Sequence, residues 1–123
     1  MIRQALAIAA FAAFLPSTGR AFEAPPACSV TISYSAVGGS IDTTLAQKID
    51  RQFRHDPRIV KREKRARGHG SYDLCLVVKP PTKSRTVYRA IRALMPATSV
   101  KAATTLTYAG KGRYVTKFKP PKD

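Results

Sequence analysis

Residues 28–78 read CSVTISYSAVGGSIDTTLAQKIDRQFRHDPRIVKREKRARGHGSYDLCLVV, and the changes of period along this run decide the fold. From Cys28 to Val37, apolar Val30, Ile32, Tyr34 and Ala36 alternate with Thr31, Ser33 and Ser35, the period of two that makes a strand. Val37-Gly38-Gly39-Ser40 marks a tight turn, and Ser40 or Asp42 is placed to cap a following helix. Ile41, Leu45, Ile49 and Phe53 recur every four residues with Ala46 beside them, so that helix has one apolar face. Lys48, Arg51 and Arg54 take its outer face. His55-Asp56-Pro57 ends it, because the residue before a proline avoids the helical region. Ile59 and Val60 open a second strand, and Gly68-His69-Gly70-Ser71 is a hairpin signal. Tyr72 to Val78 is the most apolar strand and is expected at the centre of the sheet.

The rest of the chain repeats the alternation. Lys79-Pro80-Pro81-Thr82 interrupts the strand. Ser84 to Met95 reads as a second amphipathic helix, with Val87, Ala90, Ile91, Leu94 and Met95 inward and Arg85, Arg89 and Arg92 outward, and Pro96 stops it. Val100 to Tyr108 alternates again, Gly110-Lys111-Gly112 turns the chain, and Tyr114 to Phe118 adds a last strand. The order β-α-β-β-α-β plus one hairpin strand predicts an α+β domain over residues 28–118 of the ferredoxin-like split βαβ kind. Its antiparallel sheet is expected in the order 4-1-3-2, with two helices on one face. Residues 22–27 form a Pro-rich lead-in and 119–123 a tail.

The first twenty-one residues read as a signal peptide. Arg3 precedes the apolar run Ala5 to Leu15, whose eleven residues rise only about 16 Å as a helix, half a bilayer core. Pro16 breaks the run, and Gly19-Arg20-Ala21 places small residues for cleavage after Ala21. The mature chain then loses Arg3 and Arg20 but none of the seven acids, and it has no transmembrane segment. A periplasmic or secreted location follows, and there Cys28 and Cys75 are expected to pair. The chain-entropy model assigns a loop of that length about 4 kcal/mol.

Candidate chemistry is thin. His55 and His69 each sit beside a turn breaker, at no metal-ligand spacing, and no two acids form a catalytic pair. The Gly38-Gly39-Ser40 turn before a helix resembles the phosphate loop of acylphosphatases, which implies anion binding at the helix N-terminus. That chemistry uses an Asn and a loop Arg, and the chain has no Asn. The expectation is therefore a protein without catalytic activity, metal or cofactor.

Charge is the outlying feature: 22 Lys and Arg against 7 Asp and Glu give +15 on 123 residues. Arg58, Lys61, Arg62, Lys64, Arg65 and Arg67 crowd the second strand, and Lys48, Arg51 and Arg54 of the first helix add to them. These nine residues are the expected anion-binding surface. The partners they suit are lipid head groups, lipopolysaccharide, a cell-wall polymer or an acidic protein, with nucleic acid bound only non-specifically. The same charges have a second reading, since basic residues on an edge strand block sheet-to-sheet pairing. The alternative function is an envelope protein–protein interaction module or inhibitor in which the charge is incidental.

Two stretches resemble known envelope modules in topology. Asp42 to Val60, with LAQKI and HDPRIV, resembles the first helix and strand of a BON domain, which implies association with membrane surfaces. VGGS and YDLCLVVKPPTKSRTVYRAIRAL in their βαββαβ order resemble the SPOR repeat, which implies peptidoglycan binding. The glycines that frame the hairpin strands of the first module, and the second glycine-containing strand end of the other, have no counterpart here.

Overall fold

The computed structural model describes residues 27–109 and 111–122. The expected signal peptide, residues 1–21, and nearly all of the Pro-rich lead-in lie outside the described residues. The elements in chain order are β1 (Val30–Tyr34), α1 (Thr43–Phe53), β2 (Ile59–Gly68), β3 (Ser71–Val78), a 3-10 turn (Pro81–Lys83), α2 (Ser84–Arg92), β4 (Thr98–Ser99), β5 (Thr104–Tyr108) and β6 (Gly112–Phe118).

One six-stranded sheet forms in the order β2-β3-β1-β5-β6-β4, antiparallel throughout except for the β4–β6 pair. Strand count and order both differ from the expected 4-1-3-2 with a single added hairpin strand. The departure comes at one edge. Thr98 and Ser99 pair with Lys117 and Phe118 on the outer side of β6, whereas β5 pairs with its inner side. The chain must therefore cross β6 between Ser99 and Thr104, and Val100 to Ala103 cannot belong to the strand that alternation predicts over 100–108. Val100 is accordingly 60% exposed. The second helix also ends early, at Arg92 rather than Met95. Leu94 and Met95 donate to carbonyls three residues back, the tighter turn that precedes Pro96.

Register explains which side of the sheet is buried. Val30, Ile32 and Tyr34 lie opposite Leu76, Leu74 and Tyr72. Ile32 and Tyr34 lie opposite Leu106 and Thr104. These side chains share one face because strand residues alternate. The buried faces of α1 (Leu45, Ile49, Phe53) and α2 (Val87, Tyr88, Ile91) join them in a single apolar cluster. The opposite face carries Thr31, Ser33, Thr105 and Thr107, all half-buried. Asp42 starts α1 by accepting from the Leu45 amide at 3.1 Å, and Ser99 Oγ donates to its second oxygen at 2.6 Å.

Cys28 and Cys75 form a disulfide with Cα atoms 5.2 Å apart. Adjacency of β1 and β3 brings them together, with Thr31 opposite Cys75. The bridge fits an oxidising extracellular environment.

Candidate functional site

β2 is an edge strand, and a bulge decides how its charges are presented. Ile59 pairs with Val78, but Lys61 pairs with Val77, so Val60 is the extra residue. A bulge shifts every later side chain to the other face. Ile59 enters the core, while Lys61, Glu63 and Arg65 fall with Cys75 and Asp73 on the side that no described helix covers. Arg62 and Lys64 fall with Leu76 and Leu74 on the helix side. The basic run is thus divided between two surfaces rather than gathered on one.

Most of its charges are also answered locally. Arg58 binds Asp56 through Nε at 2.9 Å and Nη2 at 2.6 Å. This hydrogen bonding, with the Arg58 backbone N–H donating to the same carboxylate, holds Asp56 below the usual carboxylate range and raises Arg58 above its own. Arg65 Nε lies 2.9 Å from Glu63, and Lys61 lies 3.9 Å from it. The hydrogen bond from Arg65 lowers the Glu63 pKa. Arg67 pairs with Asp73 at 2.8 Å and donates to the Tyr34 carbonyl at 3.1 Å. Arg54 pairs with Asp50 one helical turn back. Arg62 turns inward and donates to the carbonyls of Phe53 and Arg54 at the end of α1. Lys64 lies over the Tyr72 ring at 4.1 Å. Of the nine expected residues, Lys48, Arg51 and Lys64 are exposed and without an ion pair or side-chain hydrogen bond among the described residues.

A cleft of about 340 Å³ opens between α1 and β2, floored by Tyr34, Tyr72 and Leu74 and bordered by Asp50 and Lys64. Burial pushes the Tyr34 and Tyr72 phenols up, so both stay neutral. The Gly38-Gly39 turn is closed on itself. Val37 and Ser40 bond each other's backbone at 2.8 and 3.2 Å, and both glycines have positive φ. Gly70 packs directly on the Gly39 carbonyl, leaving no room for a Cβ. No group of three or more His, Cys, Asp or Glu is arranged for a metal among the described residues, and no helix there is long and apolar enough to cross a membrane.

Sequence reading did not single out the arrangement at the other end of the molecule. Arg85, Arg89 and Arg92 recur on one flank of α2 and meet Lys111, Gly112 and Arg113 of the β5–β6 hairpin around a cleft of about 260 Å³. Tyr88 and Tyr108 floor it, with ring centroids 4.5 Å apart. Arg92 stacks over Tyr114 at 4.8 Å. The i, i+4, i+7 spacing of the three arginines was legible as an outer helix face. Its approach to the hairpin depended on β6 lying next to β5.

Comparison with protein-family models, curated proteins and solved structures finds no match.

Proposed function

We propose that the protein is a small exported, non-enzymatic binding protein that holds an anionic envelope partner on its basic surface. The partner is a lipid head-group layer, lipopolysaccharide, a cell-wall polymer or an acidic protein. The observation that carries this reading is where the few acids lie. Asp50, Asp56, Glu63 and Asp73 all pair with arginines of α1 and β2 or of the turn between them, and Asp42 caps α1. Apart from Lys61, the other described cations of this chain, whose full sequence carries +15, are in no ion pair, which leaves their surface positive. Such a surface attracts polyanions and speeds encounter, without itself giving specificity. The disulfide supports a periplasmic or secreted location. The ferredoxin-like split βαβ arrangement remains part of this proposal, supported by β1 lying between β3 and β5.

The test is retention on heparin and on vesicles containing phosphatidylglycerol. Binding should fall steeply as salt rises, and Lys48→Ala, Arg51→Ala and Lys64→Ala together should weaken it. Binding that ignores salt overturns the proposal. It would favour the second reading, an interaction module docking through the uncovered Thr31–Thr107 face of the sheet.

A further inference from the structure

We infer that the cleft between α2 and the β5–β6 hairpin binds a phosphoryl group, either of a free phosphate ester or of a lipid head group. The inference rests on the anionic-partner reading and gives it a ligand chemistry and a location away from β2.

Two separate elements converge there. Arg85, Arg89 and Arg92 come from α2 and Lys111 from the hairpin, so the fold brings four cations to one concavity, whereas Arg113 borders it from a strand position opposite Thr107, on the other face of the sheet. None of the four is in an ion pair among the described residues, in contrast to Arg54, Arg58, Arg65 and Arg67. Three are arginines, which cannot relieve mutual repulsion by losing a proton. An anion relieves it instead. The planar guanidinium presents paired N–H donors that match two phosphate oxygens at once, and several from one helix flank surround a phosphoryl group better than a carboxylate.

The floor points the same way. Tyr88 is buried, and its ring packs at 4.5 Å on Tyr108. A Cβ at Gly112 would come within 2.5 Å of the Tyr108 ring, so the hairpin is held close against these tyrosines. A solvated basic helix face has no need of this second wall. Arg92 is held over Tyr114, which restrains one donor before any ligand arrives. At about 260 Å³ the cleft falls just below the usual range of small-molecule pockets. It therefore suits a head group rather than a whole cofactor.

The experiment uses the mature protein with its disulfide intact. Amide shifts are followed by NMR during titration with glycerol 3-phosphate, and sedimentation is measured with phosphatidylcholine vesicles with and without phosphatidic acid. Shifts should concentrate at residues 85–92 and 111–113. The Arg89→Ala, Arg92→Ala pair should weaken binding at least about tenfold, a loss of about 1.4 kcal/mol. The Lys119→Ala, Lys122→Ala pair, exposed in the C-terminal tail and outside the cleft, should leave it within about twofold, about 0.4 kcal/mol. Circular dichroism checks that each variant folds, and Arg89→Lys with Arg92→Lys offers a variant that keeps charge but loses the fork. Binding of the soluble ester assigns a free phosphate ester, and binding of the vesicles alone assigns a lipid head group. Shifts confined to α1 and β2, or a Kd unmoved by the Arg89 and Arg92 changes, overturn the cleft and leave the anionic-partner reading standing. If the wild-type protein binds neither heparin nor any anionic vesicle, both fall.

Discussion

Arg62 Nη1 donates a 2.9 Å hydrogen bond to the carbonyl oxygen of Arg54, the residue that closes α1. A second donation to the Phe53 carbonyl accompanies it. The last carbonyls of a helix lack partners within it, and the dipole makes that end negative. A cation from the edge strand therefore closes the helix and fastens it to β2. Arg62→Ala should cost about 1–2 kcal/mol, read as a lower urea midpoint. A loss below about 0.3 kcal/mol, within the usual worth of a surface charge, would mean that the pair is only a solvated contact.

Asp42 and Ser99 tie the start of α1 to β4 across 57 residues. Asp42 is nearly buried and serves two donors, the Leu45 amide and the Ser99 hydroxyl. Asp42→Ala should lose about 2 kcal/mol, of which the cap alone supplies about 1. Ser99→Ala should lose less. In a double-mutant cycle the two should couple by at least about 0.5 kcal/mol. Additivity would mean that the two act independently.

The local elements could be read from sequence because their periods are clean. Val30 to Tyr34 alternates, Leu45 to Phe53 recurs every four residues, and both faces are buried as that pattern requires. Two features were not legible. Val100 to Ala103 alternates like a strand, but the chain uses it to cross β6, a consequence of topology that no local pattern carries. The run from Arg58 to Arg67 reads as one basic patch. Its division depends on the bulge at Val60 and on acids at 50, 56, 63 and 73 that arrive from four different places. Residue order gave the charge; only the fold gave its sum at each surface.

Asp56 makes stability depend on pH over a defined range. Its hydrogen bonds with Arg58 lower its folded pKa, so the stabilisation is complete above the unfolded value of about 3.9. It is lost as pH falls through the depressed folded value. Asp56→Asn keeps an oxygen to accept the Arg58 amide but removes the charge. Arg58 is one-third exposed, so water screens the pair and the cost at neutral pH should be only about 0.5–1 kcal/mol. The gap between wild type and variant should narrow as pH falls through the depressed folded value and close below it. A gap that is constant with pH would assign the effect to geometry instead.

Gly112 is fixed by its neighbours. Its φ is ordinary, but a Cβ would stand 2.5 and 2.9 Å from Tyr108 ring atoms and 3.2 Å from Tyr88 Cζ. Gly112→Ala must push the rings apart, costing about 1–3 kcal/mol by overpacking. Near-ultraviolet circular dichroism should change with it, since the tyrosine pair is disturbed. An unaltered spectrum with full stability would show that the hairpin yields freely.

Thr104 and Thr116 face each other across β5 and β6, both fully buried, yet valine should act on them in opposite directions. Thr116 Oγ1 donates to the Pro96 carbonyl at 2.6 Å. Thr104 Oγ1 has no hydrogen-bond partner among the described residues. Burying a hydroxyl without a partner carries its full desolvation cost, whereas removing one of two bonded groups strands the other. Thr104→Val should therefore stabilise by about 1 kcal/mol, raising Tm by roughly 4–8 °C for a domain of this size. Thr116→Val should destabilise by about 1 kcal/mol because the Pro96 carbonyl loses its donor. The shape change is the same at both positions, so the sign of the difference isolates hydrogen bonding from packing. A fall in Tm for Thr104→Val would place an ordered water or a rotated hydroxyl bond at that site.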